Sequence, residues 1–179
     1  MIERILLTGG PGFGKSSIIS ALEKRGEIVF HEVSRHIISE QLATGGDCTP
    51  WQNVECFSEQ VLNGRIHQYH AATGFSFYDR GLPDIAAFLR KDKKPVPDEL
   101  WELCRQLPYA TKIFVTAPWE SIFQNDAERK EDFVAAVAVH KAIQWVYNEL
   151  GYTLVNVPMG TISDRADFVL RECRKKVSF

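Results

Sequence analysis

No run of apolar residues in this 179-residue chain approaches the ~20 needed to cross a bilayer. The opening Ile5-Leu6-Leu7 stops at Gly9-Gly10, too soon for the apolar region of a secretion signal. Neither sign of charge dominates: 21 Lys+Arg face 23 Asp+Glu, a net charge of −2. That balance argues against a chain whose main task is gripping nucleic-acid phosphates or an anionic membrane. Cysteine is sparse. Cys48, Cys56, Cys104 and Cys173 form no CxxC pair and no Cys/His cluster at zinc-ligand spacing, so they read as reduced thiols. Internal repeats and low-complexity tracts are missing, and 45% hydrophobic with 25% charged residues excludes disorder. The expectation is a cytoplasmic globular protein forming one domain over residues 1–179, large enough to hold a core without disulfides or structural metal.

Strand-like and helix-like segments alternate, which predicts a parallel sheet covered on both faces. Five short apolar runs read as strands: residues 2–8, 28–32, 75–79, 112–116 and 153–157. Several are continuous runs, as strands buried on both faces tend to be. Helices are predicted over residues 15–24, 54–72, 99–106, 126–150 and 162–175. Ligands of open α/β sheets bind beyond the carboxyl ends of the strands, so function belongs near Gly9, Glu32, Asp79, Pro118 and Pro158.

One of those ends is specific. Gly9-Gly10-Pro11-Gly12-Phe13-Gly14-Lys15-Ser16, with Ser17 beside it, matches G-x-x-x-x-G-K-[ST] between an apolar strand and an amphipathic helix. Glycines let backbone N–H groups approach a phosphate with no Cβ in the way. Lys15 supplies a point charge to the phosphate oxygens, the Ser16 hydroxyl is a Mg²⁺ ligand, and the helix N-terminus aims its positive end at the same anion. The motif predicts ATP·Mg²⁺ and leaves the reaction open.

Three further features bear on that reaction. The strand at 75–79 ends in Asp79, a carboxylate suited to Mg²⁺, but Arg80-Gly81 follows where a dedicated hydrolase usually carries a second acid to polarise water. The second strand ends in Glu32 with Arg35 one turn on, a pair suited to an acceptor that offers a hydroxyl and further polar groups. The cluster at 126–131 contains Arg129, a candidate lid arginine that would offset charge during phosphoryl transfer. No Asn-Lys-x-Asp sequence exists to read guanine.

Gly9 to Ser16, Glu32-x-x-Arg35, Asp79-Arg80-Gly81 and Asp126-x-x-Arg129, in that order, resemble small P-loop kinase-like proteins. The group is the one labelled "AAA domain" ATPases, which is similar to the ribosylnicotinamide kinase domain of NadR and, more distantly, to the deoxynucleoside kinases. The resemblance spans nearly the whole chain. It implies an α/β P-loop NTPase fold: a five-stranded parallel sheet in the order 2-3-1-4-5, flanked by helices and carrying a lid. It also implies Lys15 and Ser16 on phosphate and Mg²⁺, Asp79 or Glu32 as general base and metal-side carboxylate, and Arg80 and Arg129 as phosphate clamps. Because the sequence begins at the P-loop strand, the nucleotidyltransferase part of NadR is not expected. Deoxynucleoside kinases carry Glu-Arg-Ser where this chain has Asp-Arg-Gly, so their sugar contacts are unmatched.

These readings converge on an ATP/Mg²⁺-dependent kinase acting on a small nucleoside- or ribosyl-type acceptor held by Glu32, Arg35 and Arg80. The alternative is a slow regulatory ATPase, a nucleotide switch acting on a protein partner. A nucleic-acid partner is not expected, nor a membrane, and the sequence is silent on oligomeric state.

Overall fold

In the computed structural model, which describes residues 2–123 and 132–175, the five apolar runs pair side by side. They form β1 (Glu3–Gly9), β2 (Ile28–Phe30), β3 (Phe75–Asp79), β4 (Lys112–Thr116) and β5 (Thr153–Val157). Every pairing is parallel and the order is β2-β3-β1-β4-β5, as expected. Around the sheet lie α1 (Lys15–Glu23), α2 (Val33–Thr44), α3 (Val54–Ala71), α4 (Leu82–Lys91), α5 (Asp98–Gln106), α6 (Phe133–Glu149) and α7 (Ile162–Arg174).

Alternate strand residues face opposite sides, so each strand feeds two cores. Leu6, Tyr78, Ile113 and Val115 pack on Leu82, Ala86 and Ala87 of α4 and on Val139, Ile143, Val146 and Tyr147 of α6. Ile5, Leu7, Phe77 and Phe114 turn the other way, onto Ile18, Ile19 and Leu22 of α1 and Ala166 and Val169 of α7. The interior strands are buried on both faces, which is why their sequences are continuous apolar runs.

Two helices depart from expectation. The Leu82–Lys91 helix follows Gly81 and carries Pro83 in its first turn, residues that read as turn punctuation in sequence. Proline is at home there because a first-turn N–H has no helical partner to lose. The Val33–Thr44 helix buries only Ile37 and Ile38, too little apolar stripe to announce itself. β2 stops at Phe30, short of Glu32, because Glu32 takes the extended N-cap conformation that opens α2. The α6 helix begins at Phe133, where the Asp132 carboxylate accepts from the Ala135 N–H at 2.8 Å. The earlier part of the helix expected over 126–150, with Asp126 and Arg129, lies outside the described residues.

The reading of all four cysteines as reduced thiols is corrected for two of them. Cys48 and Cys56 form a disulfide with Cα atoms 5.4 Å apart, while Cys104 and Cys173 are free. The turn between α2 and α3 brings the pair within bridging distance, a proximity that linear spacing does not encode. Among the described residues no helix is long and apolar enough to cross a membrane.

Candidate active site at the strand ends

The loop joining β1 to α1 is shaped by what it packs against. Gly9 has φ 135°, and a Cβ there would lie 2.6 Å from the carbonyl oxygen of Thr116 on β4. Only glycine allows that strand approach. Gly14, at φ 80°, is the N-cap of α1. Between them Phe13 is fully buried, its ring within 6.5 Å of Phe123, 5.9 Å of Phe133 and 6.0 Å of His140, centroid to centroid. One aromatic side chain thus nails the loop to α6.

Lys15 points back under the loop. It is 4% exposed and its Nζ donates to the Gly10 carbonyl at 2.8 Å. Burial, with the Arg80 charge adding to it, brings its pKa down to about 7 despite the opposing pull of Asp79, Glu32 and Asp84. Ser16 Oγ donates to Asp79 Oδ2 at 2.7 Å. The other oxygen, Asp79 Oδ1, is buried with no hydrogen-bond partner among the described residues. Burial and then the Glu32 charge push the Asp79 carboxyl above its ordinary range. Ser17 is exposed on α1, Pro11 is buried, and Gly10 and Gly12 complete the loop.

Past Asp79 the chain makes an unusual bend. Arg80 sits at φ 72°, in the left-handed region that non-glycine residues rarely enter. Its N–H donates to Leu7 O at 2.9 Å, its Nε to Glu32 Oε1 at 2.9 Å and its Nη1 to Asp84 Oδ1 at 2.9 Å. Burial pushes Glu32 up, but Arg80, Lys15, Arg65 and Arg35 together hold its carboxyl below the usual value. Arg35 Nε lies 3.9 Å from Glu32 Oε2. Asp84 is fully buried and accepts from Thr8 Oγ1 at 2.6 Å, Tyr147 OH at 2.6 Å and Gly81 N at 3.0 Å as well as from Arg80. Burial opposes its charge, yet these partners and Arg65 keep it ionised below its ordinary pKa. The same carboxylates outweigh burial at Arg80 and raise its pKa. Arg65 of α3 donates to the Gly81 carbonyl.

Lys15, Ser16, Asp79, Glu32, Arg35 and Arg80 therefore meet at one end of the sheet. Arg129 lies outside the described residues. Asp84, Arg65, Arg165 and His140 also lie at or beside the site and are not among the residues that the sequence marks as functional. Asp84 had a signal: an acid three residues past Gly81, in the first turn of a proline-containing helix start. Arg165 of α7 donates through Nη2 to the Phe13 carbonyl at 3.0 Å and lies 5.6 Å over the Trp119 ring. His140 is 6% exposed with Nδ1 unpartnered among the described residues, and burial together with Lys15 pushes its pKa down to about 4. Neither Arg165 nor His140 belongs to a local motif that would flag it.

Chemically, the end of the loop is able to receive an anion, with an ammonium and the α1 N-terminus directed to one place. The Ser16 hydroxyl and the unpartnered Asp79 oxygen form a hard oxygen pair, the donor type that suits Mg²⁺. These residues fit the metal.

A family model described as "AAA domain" matches residues 4–165. No curated protein matches the sequence. Among solved structures, deoxyadenosine kinase from M. mycoides with bound dATP aligns over 97% of this chain and 100% of its own, at 13% identity and TM-score 0.65. Shikimate kinase from Acinetobacter baumannii, in complex with shikimate, aligns over 97% and 93% at 16% identity and TM-score 0.64. Shikimate kinase from Aquifex aeolicus gives 95% and 95%, 15% and 0.57. At such identities the likeness is one of fold: this is the P-loop kinase fold. The family match covers most of the chain, which therefore belongs to the AAA domain family.

Proposed function

On that footing we propose that the protein is a kinase that moves the γ-phosphoryl group of ATP to a hydroxyl of a small nucleoside- or ribosyl-type metabolite. One observation carries the reading: a buried carboxylate, Asp79, and a half-buried one, Glu32, stand at adjacent strand ends in opposite environments. Asp79 is bound to the loop serine with its pKa raised, and Glu32 is bound to Arg80 with its pKa lowered. That division suits two separate jobs.

Residues Gly9 to Ser17 bind the triphosphate, with Lys15 neutralising its charge. Ser16 and Asp79 hold Mg²⁺, which when bound spreads and offsets phosphate charge. With Asp79 assigned to Ser16 and Mg²⁺, Glu32 is the carboxylate left to act as base. It takes the acceptor hydroxyl's proton as that oxygen bonds to phosphorus and ADP departs. Glu32 and Arg35 hold the acceptor, and Arg80 completes that side of the site. On this reading residues 1–179 are taken as one unit, and Arg129, outside the described residues, is given the role of offsetting charge on the transferring group. Arg80 in place of a second acid after Asp79 leaves no group there to activate water, which favours transfer over hydrolysis. No observation favours the nucleotide switch.

The test is ADP release from ATP and Mg²⁺ against nucleosides, ribosyl pyridines and mononucleotides, with water alone as control. Release that rises with one acceptor class supports the reading. A flat panel overturns it.

A further inference from the structure

Arg80 is a residue under constraint. Its backbone is in the left-handed region, and its guanidinium is 2% exposed with two nitrogens bound to two different carboxylates. Such a conformation persists only where its surroundings over-determine it. One of the two carboxylates, Glu32, is the proposed base. The other, Asp84, faces no surface, being fully buried.

Asp84 divides its bonds in a telling way. Oδ1 accepts from Arg80 Nη1 and from Thr8 Oγ1, the residue just before the phosphate loop. Oδ2 accepts from Gly81 N and from Tyr147 OH on α6. One oxygen is thus turned to the site and the other to the scaffold. With Nη1 fixed on Asp84, the guanidinium plane has one orientation, and in it Nε meets Glu32 Oε1 at 2.9 Å. Released from Asp84, Arg80 would keep its charge but lose the direction in which Nε points, and Glu32 would lose a donor at 2.9 Å, with Arg35 Nε farther off at 3.9 Å. Bidentate use of a planar guanidinium is what makes this relay geometric and not merely electrostatic.

We propose that Asp84 is a positioning residue for phosphoryl transfer. Through Arg80 it holds the Glu32 carboxylate where the acceptor hydroxyl must lose its proton, and it touches neither nucleotide nor acceptor. The inference rests on the kinase reading above and adds to it a residue that no strand-end motif contains.

The experiment is steady-state kinetics on the full chain, with ATP and Mg²⁺ and the panel nucleosides and ribosyl pyridines as acceptors. It compares Asp84→Asn, Arg80→Lys, the double variant and Tyr147→Phe. Asp84→Asn should lower kcat at least tenfold and leave KM for ATP within twofold. Arg80→Lys, whose single nitrogen lacks the rigid fork that fixes Nε and Nη1 on two carboxylates, should give the same split and also serves if Asp84→Asn does not fold. The double variant should fall no more than twofold below the lower single, because both changes break one relay. Tyr147→Phe strips a bond from the scaffold-side oxygen alone, so it should melt lower and keep kcat. Wild-type kcat in Asp84→Asn overturns the inference, as do losses that multiply in the double variant. An equal kcat loss in Tyr147→Phe also overturns it, since Asp84 would then be a core anchor only. Those three results leave the kinase reading standing. A wild-type chain that answers no acceptor removes that reading and this inference together.

Discussion

His140 should make the protein sensitive to mild acid, whatever its substrate. The ring is 6% exposed, packs edge-on to Phe13, and leaves Nδ1 without a partner among the described residues. Burial and the nearby Lys15 ammonium push its pKa down to about 4 from an ordinary value of 6.5. Between those two values the unfolded chain binds a proton that the folded chain refuses, so stability rises with pH across the window. The contribution is complete above about pH 6.5 and is lost as pH falls toward 4. A shift of this size corresponds to about 3 kcal/mol at most, with a local slope near 1.4 kcal/mol per pH unit. That is a large part of the ~5–15 kcal/mol available to a domain. Urea unfolding at intervals from pH 4 to pH 8 measures it, with His140→Gln as the comparison because glutamine fills similar space and does not titrate. The wild-type curve should fall more steeply than the variant's below pH 6.5, and the two should run parallel above it. Parallel curves throughout would refute the reasoning, because they would mean that the histidine accepts its proton in the folded state.

Three other perturbations test the packing and the loop. Lys15→Ala should weaken ATP·Mg²⁺ binding by about 3 kcal/mol, roughly a hundredfold in Kd by calorimetry, as expected for removal of a buried charge from an anion site. The same variant should melt no lower than wild type, since among the described residues the buried ammonium has only the Gly10 carbonyl as a hydrogen-bond acceptor; a lower Tm would show that Lys15 also braces the fold. Gly81→Ala should cost about 1–3 kcal/mol in denaturant unfolding, because the added Cβ would run into Leu6 Cδ1 and sit 2.8 and 2.9 Å from Tyr109 ring carbons. The backbone there is extended at φ −139°, so no left-handed penalty enters, and a neutral result would mean that both Leu6 and Tyr109 yield. Reducing Cys48–Cys56 should remove about 2.5 kcal/mol by the chain-entropy estimate for a loop of 8 residues. Calorimetry with and without a dithiol should show a Tm drop in wild type and none in the Cys48→Ser/Cys56→Ser variant; equal scans for wild type would refute the estimate.

The sheet is legible because its interior strands are sealed on both faces. Ile5-Leu6-Leu7 and Ile113-Phe114-Val115 serve two cores at once and leave no polar position to blur the pattern. The phosphate loop was legible because glycine, lysine and serine at fixed spacing have few other uses. What stayed hidden depends on contacts across the fold. Arg80 and Glu32 are 48 residues apart, and Tyr147 and Asp84 are 63 apart, yet each pair shares a hydrogen bond. The resemblance implies Arg80 as a phosphate clamp, while its two carboxylate partners are visible only in the fold. Val33–Thr44 escaped notice for lack of an apolar stripe, and Leu82–Lys91 because Gly81 and Pro83 resemble a turn until their position at a helix start is known. The Cys48–Cys56 bridge required the α2–α3 turn, which in turn required α2.

The burial of Phe13 reaches past the loop that contains it. Held among Phe123, Phe133 and His140, the ring commits the surrounding backbone to one shape when the chain folds, before any anion arrives. Association with a triphosphate is then a casting poured into a mould already set. Little of the intrinsic attraction is consumed in ordering the receptor, so truncating this ring should erode recognition by disorder alone, with every phosphate-facing group still in the sequence.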